Sequence, residues 1–353
     1  MIRHYPLYVA LAVFITACGG GGGTEPVGDD DDDTNVETDT DTNIVETDTD
    51  TDTDTDTDTD PPLPEYDCDT IPFLPLGTQE LTQPRGYHDL AFDPNGFIIG
   101  ADNGNQNIVK VDGAMNLQVF VPNVGMIQQM AWLPNGDLAV ASDQQSSILR
   151  VAPNGGTSTL APLPRSAYGL ILGHDDYLYA ANGDVTRVDI NNGDREIIFQ
   201  SPGGWDARVI NWNLDKTKLY IGTLFGNGQI HALDIDPITL DPISGSYVFA
   251  NGVGSGSYHD TLGVDVCGYL YVSDYSTSAT YRIHPDGQQV QTMLDPPLNR
   301  YGHGMEWGNG VDVWDTFTIF MPQPYGGNGV VAHDIGVPRM DHWEGTVINL
   351  PVP

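Results

Sequence analysis

Six short phrases rich in ionisable and aromatic residues recur along this 353-residue chain, each just ahead of an apolar strand. They are Tyr87-His88-Asp89, Ile127-Gln128-Gln129, Ala167-Tyr168-Gly169, Trp205-Asp206-Ala207-Arg208, Tyr258-His259-Asp260 and Gly302-His303-Gly304-Met305-Glu306. Three of the six carry a histidine and Tyr-His-Asp occurs twice, although the chain has only nine histidines. Brought to one place, Asp89, Asp260 and Glu306 supply the hard oxygen ligands that suit calcium, with water or amide carbonyls completing the shell. A histidine held near neutral pKa by those carboxylates, whether His88, His259 or His303, can serve as general base toward a metal-polarised water or carbonyl. Tyr168, Asp206 and Arg208 would then face the substrate, and Tyr87, Tyr258 and Tyr301 could line its pocket. The plainer alternative is that the phrase recurs because a repeat duplicated, with each histidine and aspartate satisfying backbone groups around a water-filled channel.

What must position these residues is a repeat of about 40 residues, in which an apolar strand, a tight turn and a second apolar strand follow one another. Clear copies run from Leu90 to Asp102, Met130 to Asp143 and Leu262 to Asp274. Taking the turn as register, copies centre on Gly96, Gly136, Asp176, Lys218, Gly268 and Gly310, at steps of 40, 40, 42, 50 and 42. Alternating apolar positions with Pro-Asn-Gly, Asn-Gly-Asn and Pro-Asp-Gly turns predict four strands per copy. In the first they fall near Asp89–Phe92, Phe97–Ala101, Ile108–Val111 and Leu117–Val121. No segment from Pro61 onward carries a sustained helical period. The reading is an all-β domain, a six-bladed β-propeller, since no single four-stranded sheet buries both its faces. Inner strands of a propeller converge on its axis, so the six phrases gather at one channel mouth. The fourth copy is lengthened by Asp234 to Gly245 at an outer hairpin. Closure of the sixth blade is expected from Leu76–Gln83, with Gly345–Leu350 competing for the same edge. Trp132, Trp212 and Trp307 read as packing between blades, and Asp102, Asp143, Asn182 and Asp274 as caps of the following turns.

The ends add a cell address. Residues 1–18 have a basic start and an apolar run too short for a resident membrane helix, which reads as an export signal peptide. Ile15-Thr16-Ala17-Cys18 resembles the lipobox of bacterial lipoproteins, which implies lipidation of Cys18 and a lipid anchor. Residues 19–64 form a disordered linker, a run of five glycines and then an acidic Asp/Thr-rich tether, leaving residues 65–353 for the propeller. Of 49 acids, 17 lie between Thr24 and Asp60, where there is no Lys or Arg; 32 remain in the folded part against 12 bases. That balance disfavours nucleic acid and anionic lipid as partners and suits cationic or neutral small molecules or a surface ligand. Cys68 and Cys267 are the cysteines left after lipidation, and an exported domain sits where disulfides persist. They form either a Cys68–Cys267 bridge or two separate thiols. The localisation expected is the bacterial outer membrane, facing the periplasm or the exterior, as a monomer.

At the fifth copy the run from His259 and Asp260 through Asp265, Gly268, Leu270 and Ser273 resembles the Pro-Asp-Gly…Asp…Gly-x-Leu-Trp-Val-Ala phrase of the regucalcin and gluconolactonase-like six-bladed propellers. The resemblance implies that Asp260 is a metal ligand and the catalytic base. Val209 to Ile221 is similar to that family's fourth-blade unit, whose metal-binding asparagine falls on Arg208. Tyr168 stands where the family shows a substrate-contacting Asn-Asp-Gly, and His88-Asp89 lies nearest its glutamate ligand. Gly100 to Val111 also resembles an NHL repeat. What the resemblance implies is a metal-dependent hydrolase of lactones or related esters, with calcium or a similar divalent cation as cofactor. The alternatives are a non-catalytic propeller that binds a ligand or protein at the same mouth and, third, a quinone-dependent sugar dehydrogenase-like propeller, for which no cofactor cradle is visible. No phosphate loop, nucleophile elbow, zinc spacing or dinucleotide fingerprint is present.

Overall fold

The computed structural model describes residues 66–83, 87–173, 177–254, 258–295, 302–323 and 329–340. The signal segment, Cys18, the tether, Tyr301 and the Gly345–Leu350 stretch lie outside them. Six four-stranded antiparallel sheets follow one another. Blade 1 comprises Tyr87–Phe92, Ile98–Asp102, Asn107–Val111 and Leu117–Val121; blade 2, Ile127–Trp132, Leu138–Ser142, Ser147–Val151 and Thr157–Pro162. Blade 3 comprises Gly169–Leu172, Tyr177–Ala181, Val185–Asp189 and Arg195–Phe199; blade 4, Asp206–Trp212, Lys218–Leu224, Gln229–Asp234 and Tyr247–Asn251. Blade 5 runs His259–Val264, Leu270–Asp274, Ala279–Ile283 and Val290–Leu294. The protein is thus an all-β, six-bladed propeller, and among the described residues no helix is long and apolar enough to cross a membrane.

Local chemistry makes each blade. Between the first two strands Asp93 Oδ1 accepts the backbone N–H groups of Asn95 and Phe97 at 3.0 and 2.8 Å, and Gly96 sits at φ +83°. Asp265 repeats this for Cys267 and Tyr269, at 2.9 Å each. The recurring Asp-x-x-Gly is therefore a side-chain-capped turn that needs a left-handed residue at its close. The second strands are buried along almost their whole length, as in Ile98, Ile99, Gly100 and Ala101, because each sheet is covered on both faces by its neighbours. Edge-to-face pairs cross the seams: Tyr179 on Trp212 at 4.9 Å between blades 3 and 4, and Tyr271 on Trp307 at 5.5 Å between blades 5 and 6. Trp132 Nε1 donates to the Phe92 carbonyl at 2.8 Å, tying blade 2 to blade 1. The fourth-blade extension is fastened to blade 3, where Arg187 donates to Leu240 O at 2.8 Å and to Asp241 at 3.2 Å.

The ring closes between the first and the last of the described strands. The sixth sheet holds Glu306–Trp307, Thr318–Gln323 and Gly329–Asp334, and its outer strand is Gly77–Leu81, with Thr78 opposite His333. Ahead of that strand Cys68 is disulfide-bonded to Cys267 of blade 5, with Cα atoms 5.7 Å apart. Two hydrogen bonds hold the same strap: Tyr66 Oη donates to Gly336 O, and Arg282 Nη1 donates to Pro72 O at 2.7 Å. Cys267, in the turn of blade 5, is half-buried. The stretch after blade 6 turns back across blades 5 and 6. Trp307 Nε1 donates to Val337 O at 2.9 Å, Val266 N to Pro338 O at 3.0 Å, and Arg339 is ion-paired with Glu306.

Candidate functional site

At the start of the inner strands the ladder is broken by bulges. Register shifts fall between Tyr87 and Leu90, Ile127 and Met130, Ala207 and Val209, and His259 and Thr261. The residues left out of the pairing are His88 and Asp89, Gln128 and Gln129, Arg208, and Asp260. A bulge re-aims the side chain it carries, and this is what turns these residues out of their own sheets toward the axis or the next blade.

Asp260 is the hub. Arg208 reaches it across the blade 4–blade 5 seam, with Nε at 2.8 Å and Nη2 at 2.5 Å from the same Oδ1. On its other side His303 Nδ1 lies 3.2 Å from Oδ2, in ion-pair range but without the alignment of a hydrogen bond. The Arg208 guanidinium lies over the Tyr168 ring at 4.2 Å and within 5.6 Å of Tyr258, so two aromatic faces flank the cation. The His88 and His303 rings are 4.5 Å apart, and Tyr275 meets His303 edge-on at 5.0 Å. Burial and the neighbouring His303 push His88 down to about 4; burial and the Arg208 charge push His303 down to about 3. Both imidazoles are neutral at pH 7, the form that accepts a proton. Burial pushes Asp260 up from the ordinary carboxylate range, and the Arg208 charge opposes it. Beside Arg208 a cleft of about 230 Å³ opens between blades 3 and 4, lined by Arg165, Ser166, Tyr168, Asn182, Asp206 and Leu224.

The remaining candidates stand elsewhere. His259 is fully buried: its Nδ1 accepts Thr223 N–H at 3.0 Å and its Nε2 faces Val253 O at 3.1 Å, which fixes an Nε2–H tautomer and leaves no lone pair for proton transfer. Its expected catalytic role is corrected to a structural one. Asp89 Oδ2 accepts Met130 N–H at 2.7 Å, the counterpart of Gln129 Oε1 accepting Leu170 N–H at 2.7 Å one blade on. It is a latch between blades, and complete burial pushes its carboxyl well above the usual range. Glu306 is ion-paired with Arg339. Asp206 sits at the rim opposite Arg165 at 3.8 Å, both well exposed.

The expected oxygen cage of Asp89, Asp260 and Glu306 is therefore not assembled, and among the described residues no group of three acidic, histidine or cysteine side chains is placed to hold a metal. A divalent cation does not fit the residues around Asp260. The Arg208 guanidinium, bonded to Oδ1, places a fixed positive charge against Asp260 where a cation would sit, and Asp89 Oδ1 is hemmed by Gly304, where even a Cβ would come within 2.7 Å. The sequence marks Arg208 and Gln128 but not their partners, Asp260 and His88, and it gives no sign of Tyr275 beside His303. Nothing in the linear sequence marks a bulge.

Fold and mouth together define a six-bladed β-propeller in which Arg208, Asp260, His303 and His88 cluster at the start of the inner strands. No family model matches the sequence, and no curated protein does. Solved structures do match. A putative gluconolactonase superposes with a TM-score of 0.60 at 12% identity, covering 75% of this chain and 95% of its own. Regucalcin from Agrobacterium tumefaciens, described as a calcium-binding protein, superposes at 0.59 with 13% identity, covering 73% and 93%. A gluconolactonase from Xanthomonas campestris superposes at 0.56 with 13% identity, covering 69% and 82%. The chain has the fold of the regucalcin and gluconolactonase-like propellers, and at such identities the likeness establishes the fold alone.

Proposed function

We propose that this chain is an exported, lipid-anchored propeller, carried on its acidic tether at the outer membrane, that hydrolyses a lactone or related small ester at the channel mouth without a metal ion. The observation that carries this reading is Asp260, held between Arg208 and the neutral His303. In this reading the substrate carbonyl lies against the free edge of the Arg208 guanidinium, which supplies the fixed positive charge that stabilises a developing oxyanion. Asp260 orients His303 through Nδ1–H, so that Nε2 takes a proton from the attacking water; such contacts often align fully only with substrate bound. The water oxygen bonds to the carbonyl carbon, the ring C–O bond breaks, and His303 returns the proton to the departing alkoxide. The product is a hydroxy acid.

The test is a lactone panel assayed with protein treated with EDTA. Hydrolysis should persist after chelation, and His303→Ala should lower kcat about 10²- to 10⁴-fold, the usual worth of a general base. Loss of activity on chelation, or no hydrolysis of any lactone, overturns the reading. A second reading, a non-catalytic ligand-binding mouth, is favoured by the two Arg208 donors already engaged by Asp260. It predicts saturable binding with no turnover.

A further inference from the structure

The loop that follows the second strand of blade 4 carries Phe225, an exposed aromatic side chain in a conformation that costs free energy. Phe225 has φ +65° and is 56% accessible. Among the described residues it is the only aromatic at positive φ, where a bulky L residue is a genuine outlier. The loop holds it there: Asn227 and Gly228 follow at φ +54° and +72°, Leu224 bridges to Tyr258, and a Cβ on Gly226 would strike Thr223 Oγ1. Strain of this kind is kept where the surrounding loop over-determines it, most often at positions with a function, and Phe225 contributes little burial in return.

Its neighbours indicate what that is. Phe225 meets Tyr258 at 5.6 Å, Tyr258 meets Tyr275 at 5.9 Å, Tyr275 meets His303 at 5.0 Å, and His303 meets His88 at 4.5 Å. A continuous arc of rings runs from the solvent rim to the proposed base. The Arg208 guanidinium lies 5.6 Å from the Tyr258 ring midway along this arc. A flat apolar ring laid against Phe225 and Tyr258 would bring a carbonyl attached to it toward Arg208.

We propose that Phe225 is a specificity-determining residue: its exposed ring, met edge-on by Tyr258 at an interplanar angle of 61°, forms with it an aromatic corner that selects carbonyl compounds bearing a flat aromatic ring. The corner rests on the reading of the mouth as a carbonyl-binding site. It is tested by binding, with two lactams that no hydrolase of esters consumes: dihydrocarbostyril, which carries a fused benzene ring, and δ-valerolactam, which carries none. Calorimetric titration of the wild-type protein should show dihydrocarbostyril binding about tenfold more tightly, the worth of one good aromatic contact. Phe225→Gly should erase that preference, and Phe225→Trp should keep it. Phe225→Gly should also unfold at the same or a higher urea concentration than wild type, because glycine accepts φ +65° freely. An undiminished preference in Phe225→Gly, no detectable binding of dihydrocarbostyril to wild type, or a lower urea midpoint for Phe225→Gly overturns the proposal. If the preference depends on Phe225 but no lactone is hydrolysed, the hydrolase reading falls and the corner stands; if lactones are hydrolysed without any such preference, the reverse holds.

Discussion

Removing the Cys68–Cys267 disulfide should cost this propeller about 5 kcal/mol. The two cysteines are 199 residues apart, and the bond closes a loop that spans blades 1 to 4 and the inner strand of blade 5. In the chain-entropy account a cross-link acts mainly by restricting the unfolded chain; a loop of this size gives about 5 kcal/mol at 25 °C. The native strap keeps other attachments when the bond is gone: Tyr66 to Gly336, Arg282 to Pro72, and the five-residue pairing of Gly77–Leu81 with Gly329–Asp334. The closing strand should therefore stay in place in the folded protein, and the loss should come from a freer unfolded ensemble. The perturbation is the double substitution Cys68→Ser/Cys267→Ser, compared with wild type under oxidising and reducing conditions. Urea unfolding should give a free energy lower by about 5 kcal/mol, with a thermal midpoint lower by about 10 °C. Reduced wild type should match the double variant. A change below about 1 kcal/mol would refute the reasoning, since loop closure would then contribute nothing. So would an oxidised wild type that unfolds like the reduced one.

Three further outcomes follow from the geometry. His88 is held at about 4 against an unfolded value near 6.5, so it contributes stability above pH 6.5 that is lost as pH falls through 4. The difference in unfolding free energy between wild type and His88→Gln should shrink by about 3 kcal/mol from pH 7 to pH 4, and a pH-independent difference would contradict the burial assigned to His88. Asp265, pushed up to about 7 by burial, has the opposite sign: its contribution is present at low pH and is lost as pH rises through 7. Asp265→Asn should therefore gain on wild type between pH 5 and pH 8, as read by urea midpoints. On the inner strand of blade 5, a Cβ on Gly263 would stand 2.5 Å from the Trp307 ring; Gly263→Ala should destabilise by about 1–3 kcal/mol through overpacking, and an unchanged thermal midpoint would show that the blade 5–blade 6 seam yields.

The fate of the two Tyr-His-Asp phrases shows where sequence reading succeeds and where it stops. Identical triplets at 87–89 and 258–260 start equivalent strands, yet His88 faces the mouth while His259 is sealed between Thr223 and Val253. Asp89 latches Met130 of the next blade, whereas Asp260 takes up Arg208. The bulge differs by one residue: in blade 1 both His88 and Asp89 are left out of the ladder, but in blade 5 His259 pairs with Asp274 and only Asp260 is left out. Because side chains alternate along a strand, that single step reverses which of them points where.

The six four-stranded sheets and their Gly-closed turns were legible in the residue order alone, because strand alternation and turn chemistry act over fewer than about ten residues. Which charges meet was not legible there and depends on how the blades pack. The Arg208–Asp260 pair spans 52 residues, Arg339–Glu306 spans 33 and the disulfide spans 199. The partner of a buried charge is whatever the neighbouring blade presents within a few ångströms, and a low-dielectric interior lets that partner, and not the residue's own type, set its chemistry.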